Sequence, residues 1–499
     1  MIGRYWILSF GLCSVVFAGC GGLFVGGESI LPETAAKLVV TPPVATIKSV
    51  AESEVHRPSK LPDRIVLTWT GDPSRSQAVT WRTDTSVAVG LAEIAIADDN
   101  ASFAKRARQL KAKTEALKSN LSTAHYHSVE FPALSPKTKY AYRVGDGANW
   151  SEWFHFTTAS EQPEPFSFVY FGDAQNDLKS MWSRVIREAF TDAPKARFLL
   201  HAGDLINNAN NDAHWGEWFQ AGGWLNGMIP SVPTPGNHEY ISISVQTTPP
   251  DATLPLNTNL TPVLSNHWRP QFALPENGPE GLEETTYFLD YQGVRIVSLN
   301  SNEKYAEQAV WLDTVLQENP GRWSILTFHH PIYSSAKSRD NVKLRQAWQP
   351  VIDKYKVDLV LQGHDHTYAR SGLATAATVD AVKNEPIGVT GRNAAGTVYV
   401  VSVSGPKMYD LGTPLRTEFR RVGEDVQLFQ IITIDGDELR YVARTATGQP
   451  YDGFTLKKRD GQPNELIEQV PDTPQRVRPA KPPAATPNAA ATPAAATVK

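Results

Sequence analysis

Polar side chains of metal-binding type follow five short apolar stretches of this 499-residue chain. The stretches end in "FGD", "HAGD", "PGNHE", "FHHP" and "QGHDH", which contain Asp173, Asp204, Asn237, His329, His364 and His366. Two carboxylates, one carboxamide and three imidazoles suit a pair of first-row metal ions better than Ca²⁺ or Mg²⁺ alone. A carboxylate shared by two ions holds them about 3.5–4 Å apart, a geometry used for displacement at phosphorus. We therefore predict one dinuclear metal centre.

Each of these residues taken alone also has a structural interpretation. An aspartate after a strand is commonly a helix N-cap, and an Asn-His pair is commonly part of a turn. Five such loops, each directly after an apolar strand, favour a common site instead. The reason is that ligands bind at the carboxyl ends of the strands in open α/β sheets.

Two folded regions must position these loops. From Phe166 to about Ala395, continuous apolar strands alternate with helical stretches, as expected for sheets covered on both faces. Strand character returns over 396–460, so we predict an α/β domain with a two-sheet core over 165–460. Residues 61–160 contain short alternating segments such as "RIVLTWTG" and "SEWFHFTT", which predict an N-terminal all-β sandwich.

The two ends of the chain have a different composition. Residues 20–60 are rich in Gly, Pro, Ala and Val without helical periodicity and predict a tether. Residues 471–499 form a Pro/Ala-rich tail that cannot bury a core, so we predict disorder there. The formal net charge of −4 is small for this length, and we expect no nucleic acid as a stable partner.

The first 20 residues predict export. "MIGRYWILSFGLCSVVFAGC" has an early arginine and an apolar run too short for the roughly 20 residues of a membrane span. Its end resembles a bacterial lipoprotein cleavage box, with residues 1–19 removed and Cys20 lipidated. Because Gly21 follows Cys20, an outer-membrane anchor facing the periplasm or the cell surface is expected. A plain cleaved signal peptide is the alternative.

The motif series "GDAQ", "GDLIN", "GNHE", "FHHP" and "GHDH" resembles that of the calcineurin-like metallophosphoesterases, and within them the purple acid phosphatase branch. The stretch "LSPKTKYAYRVGDGANWSEWFHFTTA" is similar to the fibronectin-type-III-like domain of plant-type purple acid phosphatases. The resemblance implies a four-layer α/β/β/α sandwich behind an N-terminal all-β, fibronectin III-like domain. It also implies two metal ions of the Fe, Mn or Zn type.

The resemblance assigns a role to each motif residue. Asp204 would bridge the two ions, and Asp173 and His366 would bind the first. The ligands of the second ion would be Asn237, His329 and His364. His238 would bind no metal but would contact the phosphate and protonate the leaving group, with Glu239 orienting it. Tyr368 and Arg370 would lie next to the site.

One departure from the family concerns the first ion. Purple acid phosphatases supply a tyrosinate from a GDxxY motif, where this chain has Asn207, and many other members supply a histidine where it has Gln175. Either amide could offer a carbonyl oxygen, which stabilises Fe³⁺ less than a phenolate. We therefore predict a site that is not purple. In the alternative, Gln175 binds a phosphate oxygen or water without contacting metal.

The expected reaction is hydrolysis of small phosphate monoesters by attack of a metal-bound hydroxide, with His238 as proton donor. Two alternatives stay open. A phosphodiesterase or nucleotide pyrophosphatase could use the same residues, and a non-catalytic envelope lipoprotein could retain a vestigial site.

Overall fold

A computed structural model describes residues 49–247, 257–377, 395–412 and 419–479 of the chain. The predicted signal segment, Cys20 and most of the predicted tether lie outside these ranges, as do residues 480–499 of the predicted tail. Within the described ranges, no helix is both long and apolar enough to cross a membrane.

The N-terminal domain consists of two four-stranded antiparallel sheets. The first has the strand order β1-β2-β6-β5 and the second the order β4-β3-β7-β8. Their facing side chains, among them Trp81, Phe131 and Tyr142, form a buried core. The strands are β1 Asp63–Thr68, β2 Gln77–Thr83, β3 Leu91–Ile96, β4 Arg108–Lys111, β5 Lys113–Lys118, β6 Thr123–Phe131, β7 Lys139–Gly145 and β8 Phe154–Thr157.

The second domain contains two seven-stranded sheets among the described residues. One has the order β11-β10-β9-β21-β22-β23-β24 and the other β14-β15-β16-β17-β19-β18-β20, with a separate β12-β13 hairpin. The bounds are β9 Phe166–Phe171, β10 Leu199–Ala202, β11 Ser231–Thr234, β12 Tyr240–Thr247, β13 Asn257–Leu264, β14 Tyr287–Tyr291, β15 Val294–Ser298, β16 Trp323–Thr327, β17 Leu359–Gln362, β18 Tyr368–Ala374, β19 Thr397–Val401, β20 Phe419–Gly423, β21 Leu428–Asp435, β22 Glu438–Thr445, β23 Pro450–Lys457 and β24 Glu465–Glu468.

Six α-helices form within the described residues, and the longer ones pack on the two seven-stranded sheets. The helices are α1 Glu52–Val55, α2 Ser183–Asp192, α3 Asp212–Gly222, α4 Trp268–Gln271, α5 Tyr305–Gln317 and α6 Val342–Tyr355. Helix α2 shares a core with the first sheet, and α5 and α6 share one with the second. The predicted four-layer α/β/β/α arrangement behind an all-β domain is therefore confirmed.

The parallel strands of the two sheets have their carboxyl ends close to one another. Strands β9, β10 and β11 are parallel to one another, as are β15, β16, β17 and β19. The two sheets meet where the backbone of Asp173 bridges that of Val403. Gly172 permits this approach, because a Cβ there would lie 2.0 Å from the Ser402 carbonyl oxygen.

Two predicted boundaries differ from the structure. The tether was expected to reach residue 60, but α1 forms within it and His56 is buried, with its carbonyl oxygen accepting a hydrogen bond from Arg82. The disordered tail was expected from residue 471, but the segment 471–479 packs on the fold through Gln475 and Arg478. Composition does not register such specific polar contacts, which hold the ends of both segments against the fold.

Candidate metal centre

The five predicted loops meet at the carboxyl ends of the parallel strands. Asp173 follows β9, Asp204 follows β10, and Asn237 begins the turn after β11. His329 follows β16, and the pair His364 and His366 follows β17. All six predicted ligands therefore lie together.

Asp204 is shared by two donor groups. It forms one with His329 and His364 and another with Asp173 and His366, and within each group the ligand atoms lie within 4.8 Å of one another. Asp204 Oδ2 is 3.1 Å from His329 Nε2, and Asp173 Oδ2 is 3.2 Å from His366 Nε2. This arrangement fits the predicted bridging role of Asp204.

Asn237 completes the second donor group. Its Oδ1 atom lies 2.9 Å from His364 Nδ1 and 3.1 Å from His329 Nε2, and those two ring nitrogens are 3.2 Å apart. An oxygen and two nitrogens converging on one point form the donor set that imidazole- and oxygen-binding ions prefer.

Hydrogen bonds on the far sides of two imidazoles orient them for metal binding. His329 Nδ1 lies 2.9 Å from the Ala202 carbonyl oxygen, and His366 Nδ1 lies 2.9 Å from the Lys407 carbonyl oxygen. A carbonyl only accepts, so each Nδ1 carries a proton and each Nε2 is the ring nitrogen that faces the cluster.

Buried polar atoms without partners support the fit. Asp173 Oδ2 and Gln175 Oε1 are buried and make no hydrogen bond within the described part of the chain. Such atoms are costly unless something satisfies them, and cations adjacent to the two donor groups would do so. The residues present therefore fit a pair of first-row ions.

Burial and neighbouring charges shift the pKa values of the residues in this cluster. Burial, together with the nearby Asp204, raises the pKa of Asp173 to about 7. Burial also lowers the pKa of His366 to about 3, with Lys407 contributing, and that of His364 well below its usual range. His329 is the exception, because the two aspartates outweigh burial and raise its pKa to about 9. Neutral His364 and His366 are the form that binds metal.

Three ligands have unusual backbone conformations. Asp204, His364 and His366 have φ angles of +52°, +75° and +50°. Strained residues of this kind are held by their surroundings and cluster at functional sites. Gly203 makes the first of these turns possible, because its φ is +85° and a Cβ there would lie 2.7 Å from His329 Nδ1.

Comparisons with known proteins agree with this geometry. Residues 62–158 match the family model "Purple acid Phosphatase, N-terminal domain", and residues 166–368 match "Calcineurin-like phosphoesterase". Residues 166–368 therefore form a calcineurin-like phosphoesterase domain. This domain and the relatives described below confirm the resemblance read from the motifs and indicate a hydrolase of the phosphatase type.

Individual relatives support the same assignment. A purple acid phosphatase from soybean (Glycine max) is 26% identical over 335 residues, which is 62% of this chain and 68% of the relative. The chain spans about half the length of other curated relatives. A purple acid phosphatase structure from yellow lupin (Lupinus luteus) has a TM-score of 0.64 at 18% identity and covers 80% of this chain and 75% of its own. A structure of PhoD has a TM-score of 0.60 at 15% identity, and the match covers 84% of this chain and 94% of the PhoD chain. These two structures show the shared fold.

Gln175 lies inside the cluster at the position expected for a first-ion ligand. Its Nε2 donates a hydrogen bond of 2.8 Å to Asp204 Oδ2 and lies 3.0 Å from His366 Nε2, while Oε1 has no hydrogen-bond partner among the described residues. Asn207 contributes differently from the prediction of a side-chain amide ligand. Its main-chain carbonyl oxygen accepts the hydrogen bond from His238 Nδ1, at 2.5 Å.

His238 lies at the rim of the cluster. Its side chain is 26% exposed, and its Nε2 lies 3.9 Å from Asp204 Oδ2. Because Nδ1 donates to Asn207, Nε2 is left for a group bound at the cluster. This position suits a residue that contacts substrate rather than metal.

Within the described part of the chain, the Glu239 carboxylate contacts main-chain groups rather than the imidazole of His238. The buried carboxylate accepts hydrogen bonds from the main-chain N–H groups of Asp204, Leu205, Ile206 and Gly236, at 2.7–3.3 Å. Burial and the nearby Asp204 raise its pKa to about 8, against the effect of these donors. Glu239 therefore ties the Asp204 loop to the turn that carries His238.

Tyr368 and Arg370 follow the last metal-binding motif but point away from it. The Tyr368 hydroxyl donates to Asp452 Oδ2 at 2.6 Å, and the fully buried Arg370 guanidinium pairs with Asp452 and Glu468. These contacts join β18 to strands β23 and β24, so a place for the two residues next to the site stays a prediction.

Other residues beside the cluster were not assigned from sequence. Asp365 Oδ2 accepts from Ser334 Oγ at 2.7 Å and from the Ser335 N–H at 2.6 Å, which fixes the turn between the two histidines. The acidic residue inside "GHDH" was the available signal for this role. The local sequence did not indicate that Lys407 contacts His366, because the two residues come together only in the folded chain.

Positive charge lines one side of the cluster. The Tyr409 ring centroid is 4.7 Å from that of His366, with Lys407 Nζ 5.5 Å and Arg339 Cζ 4.8 Å from the Tyr409 centroid. Arg339 also donates to the His364 carbonyl oxygen. Lys407 has no ion-pair partner among the described residues. An anionic ligand at the cluster would face this charge.

Proposed function

We propose that the protein hydrolyses phosphate monoesters at a dinuclear metal centre, with His238 as the proton donor. The observation that carries this proposal is the carboxylate of Asp204, shared by two donor groups, with an imidazole beside it that belongs to neither. Two bound ions would neutralise phosphoryl charge and lower the pKa of a water molecule.

The chain's own residues supply the remaining parts of the reaction. The oxygen of a water molecule forms a bond to phosphorus as the ester P–O bond breaks; one of the water's protons stays on the new P–OH group and the other passes to solvent. His238 Nε2 transfers its proton to the departing oxygen, which would otherwise leave as an alkoxide. The Asn207 carbonyl keeps the imidazole turned so that Nε2 faces the cluster.

The charge beside the cluster favours a monoester over a diester. A monoester phosphoryl group carries up to two negative charges near neutral pH, whereas a diester carries one. Lys407 adds positive charge on the side of His366, and Arg339 lies beside it in an ion pair with Asp365 at 3.8 Å. Electrostatic attraction therefore favours the more highly charged substrate.

The test is metal analysis combined with activity on the protein starting after Cys20. The protein would be loaded with Mn²⁺, Fe²⁺ or Zn²⁺ and assayed with para-nitrophenyl phosphate and its bis ester. We expect about two ions per chain, faster turnover of the monoester and no purple absorption band. Preference for the bis ester would favour a phosphodiesterase, and a chain without metal or turnover would favour a binding protein.

Two variants separate the proposed roles. His238→Ala should keep both ions while losing about 10²–10⁴-fold in turnover of an alkyl phosphate. Asp204→Ala should lose both ions. His155→Ala, on β8 of the N-terminal domain, is the matched control and should retain metal content and activity.

We further propose that Cys20 carries a lipid and anchors the protein to the outer membrane. The proposal rests on the "FAGC" box and on the presence of only two cysteines, one of them in the segment to be removed. Membrane fractionation of wild type and Cys20→Ala tests it, and a variant that still sediments with membranes would contradict it.

A further inference from the structure

The group that holds the proposed proton donor belongs to a short segment, Asn207–Asp212, which we call the clamp segment. Its first residue accepts the hydrogen bond from His238 Nδ1, and its last residue begins helix α3. The direction in which His238 Nε2 points therefore depends on where this segment lies.

The N-terminal domain holds the far end of the clamp segment. Asn120, in the turn between β5 and β6, accepts a 2.8 Å hydrogen bond from the Asp212 N–H. Arg64 of β1 forms a bidentate ion pair with the Asp212 carboxylate at 2.7 and 3.0 Å. Arg82 Nη1, on β2, lies 3.4 Å from Asp212 Oδ2. The side chains of Arg64 and Asp212 are each only 3% exposed.

The electrostatics of this contact favour a charged pair. Burial alone would raise the pKa of Asp212, but the nearby His267 and Arg64 hold it well below its usual range. Breaking one partner of a buried pair leaves an uncompensated charge, so the contact responds strongly to substitution.

An irregularity in the backbone of β1 directs the Arg64 side chain toward Asp212. The pairing of β1 with β2 changes register between Asp63 and Val66, and Arg64 has a φ of +50°. Bulges of this kind re-aim a side chain that a regular strand would place elsewhere. The left-handed conformation of a non-glycine residue is unfavourable, and the contact with Asp212 compensates for it.

Hydrogen bonds restrain the clamp segment between its two ends. The Asn211 N–H donates to the Asn208 carbonyl oxygen, and the Asn211 side chain caps α3. The Ala209 carbonyl oxygen accepts from Trp215 Nε1 at 2.8 Å and from Ser265 Oγ at 2.5 Å. These hydrogen bonds restrict the segment to one conformation, which links the positions of Asn207 and Asp212.

We propose that the N-terminal domain positions the proton donor of the catalytic domain through the contacts of Arg64 and Asn120 with Asp212. The inference rests on the proposed function, because it needs His238 to protonate the leaving group. It assigns the N-terminal domain a part in the reaction. Arg64 and Asn120 are positioning residues that act through the clamp segment and His238.

Leaving-group dependence tests this proposal with the full metal-loaded protein. An alkyl phosphate needs a proton on its leaving oxygen, whereas 2,4-dinitrophenyl phosphate releases a stable anion and does not. In Asn120→Ala and Arg64→Met we expect kcat for the alkyl substrate to fall about 10-fold or more, approaching the loss expected for His238→Ala. We expect kcat for the dinitrophenyl substrate to change less than about 2-fold, with metal content unchanged.

Matched controls come from the same domain. Asn100→Ala removes an exposed asparagine that caps a neighbouring turn, and Arg143→Met removes an ion pair with Glu93. Neither contacts the catalytic domain in these interactions, so both should behave as wild type with both substrates. Arg64→Lys should recover part of the lost alkyl-phosphate turnover.

The outcomes are distinguishable. Equal losses on both substrates in Asn120→Ala and Arg64→Met would show a general structural effect and overturn the proposal, as would unchanged kinetics in the folded variants. If Arg64→Met does not fold, the exposed Asn120 and the Arg64→Lys variant decide between these results. A wild-type protein without turnover, or a His238→Ala variant without leaving-group selectivity, would instead refute the proposed function.

Discussion

Replacing Glu239 by glutamine would change one buried carboxylate oxygen into an NH₂ group. Each carboxylate oxygen accepts from two main-chain N–H groups, one oxygen from Leu205 and Ile206 and the other from Asp204 and Gly236. In either orientation, the new amide nitrogen would face two donors that it cannot accept from. Two buried N–H groups would lose their partners.

The number of lost hydrogen bonds sets the expected magnitude. Each unsatisfied buried group costs about 1–3 kcal/mol, so the variant should lose about 2–6 kcal/mol of unfolding free energy. That is a large part of the roughly 5–15 kcal/mol that stabilises a typical domain. The loop carrying Asp204 should also loosen, lowering metal affinity about 10–100-fold.

Chemical denaturation of metal-free protein measures the first effect, and titration with Mn²⁺ or Zn²⁺ measures the second. Glu93→Gln is the control, because its partly exposed pair with Arg143 is worth less than about 1 kcal/mol. A Glu239→Gln variant with the wild-type denaturation midpoint and metal affinity would refute the assignment of Glu239 as the link between the two loops.

Three further perturbations have defined expectations. Lys407→Met should raise KM for the monoester roughly 2–5-fold and leave KM for the bis ester nearly unchanged, as expected for one partly exposed charge beside the site; an equal change with both esters would contradict that role. Gln175→Ala should lower the affinity for the first ion about 10-fold while the second ion is retained, measured by metal analysis after dialysis; two ions held as in wild type would mean that Gln175 is not a ligand. His201→Phe should flatten the pH dependence of stability. Burial lowers the pKa of His201 to about 3, so the unfolded chain binds the extra proton first, and stability is lost as pH falls below the usual value of 6.5. At pH 4 the wild type should have lost about 3 kcal/mol through this residue, relative to pH 7, and denaturation curves at both values check it.

Residues at strand ends were predictable because their position follows from local sequence. An apolar run long enough for a buried strand, followed at once by Asp, Asn or His, places that side chain at the carboxyl edge of the sheet. This reasoning brought Asp173, Asp204 and the later candidate ligands to one site. Their division between two ions, and the choice of Gln175, came instead from the resemblance to a known family, and the two donor groups in the structure agree with that division.

Contacts made across the sheets were not predictable in this way. Tyr368 and Arg370 adjoin the last motif in sequence, but the alternation of β18 turns them toward Asp452. Glu239 is next to His238, yet its carboxylate binds main-chain groups of the preceding loop. Nearness along the chain does not determine which face of an element a side chain occupies.

The sequence by itself determined the order of the two domains and the set of candidate metal ligands, because strand periodicity and the residues that directly follow each strand are local properties; the proton-donor candidate His238 came from the resemblance of "GNHE" to a family motif. Tertiary structure alone decided which main-chain carbonyl holds His238, which lysine lies beside His366, and that Arg64 reaches Asp212 from another domain. Those contacts join residues far apart in the chain. Their partners exist only after the sheets have packed and the loops have closed.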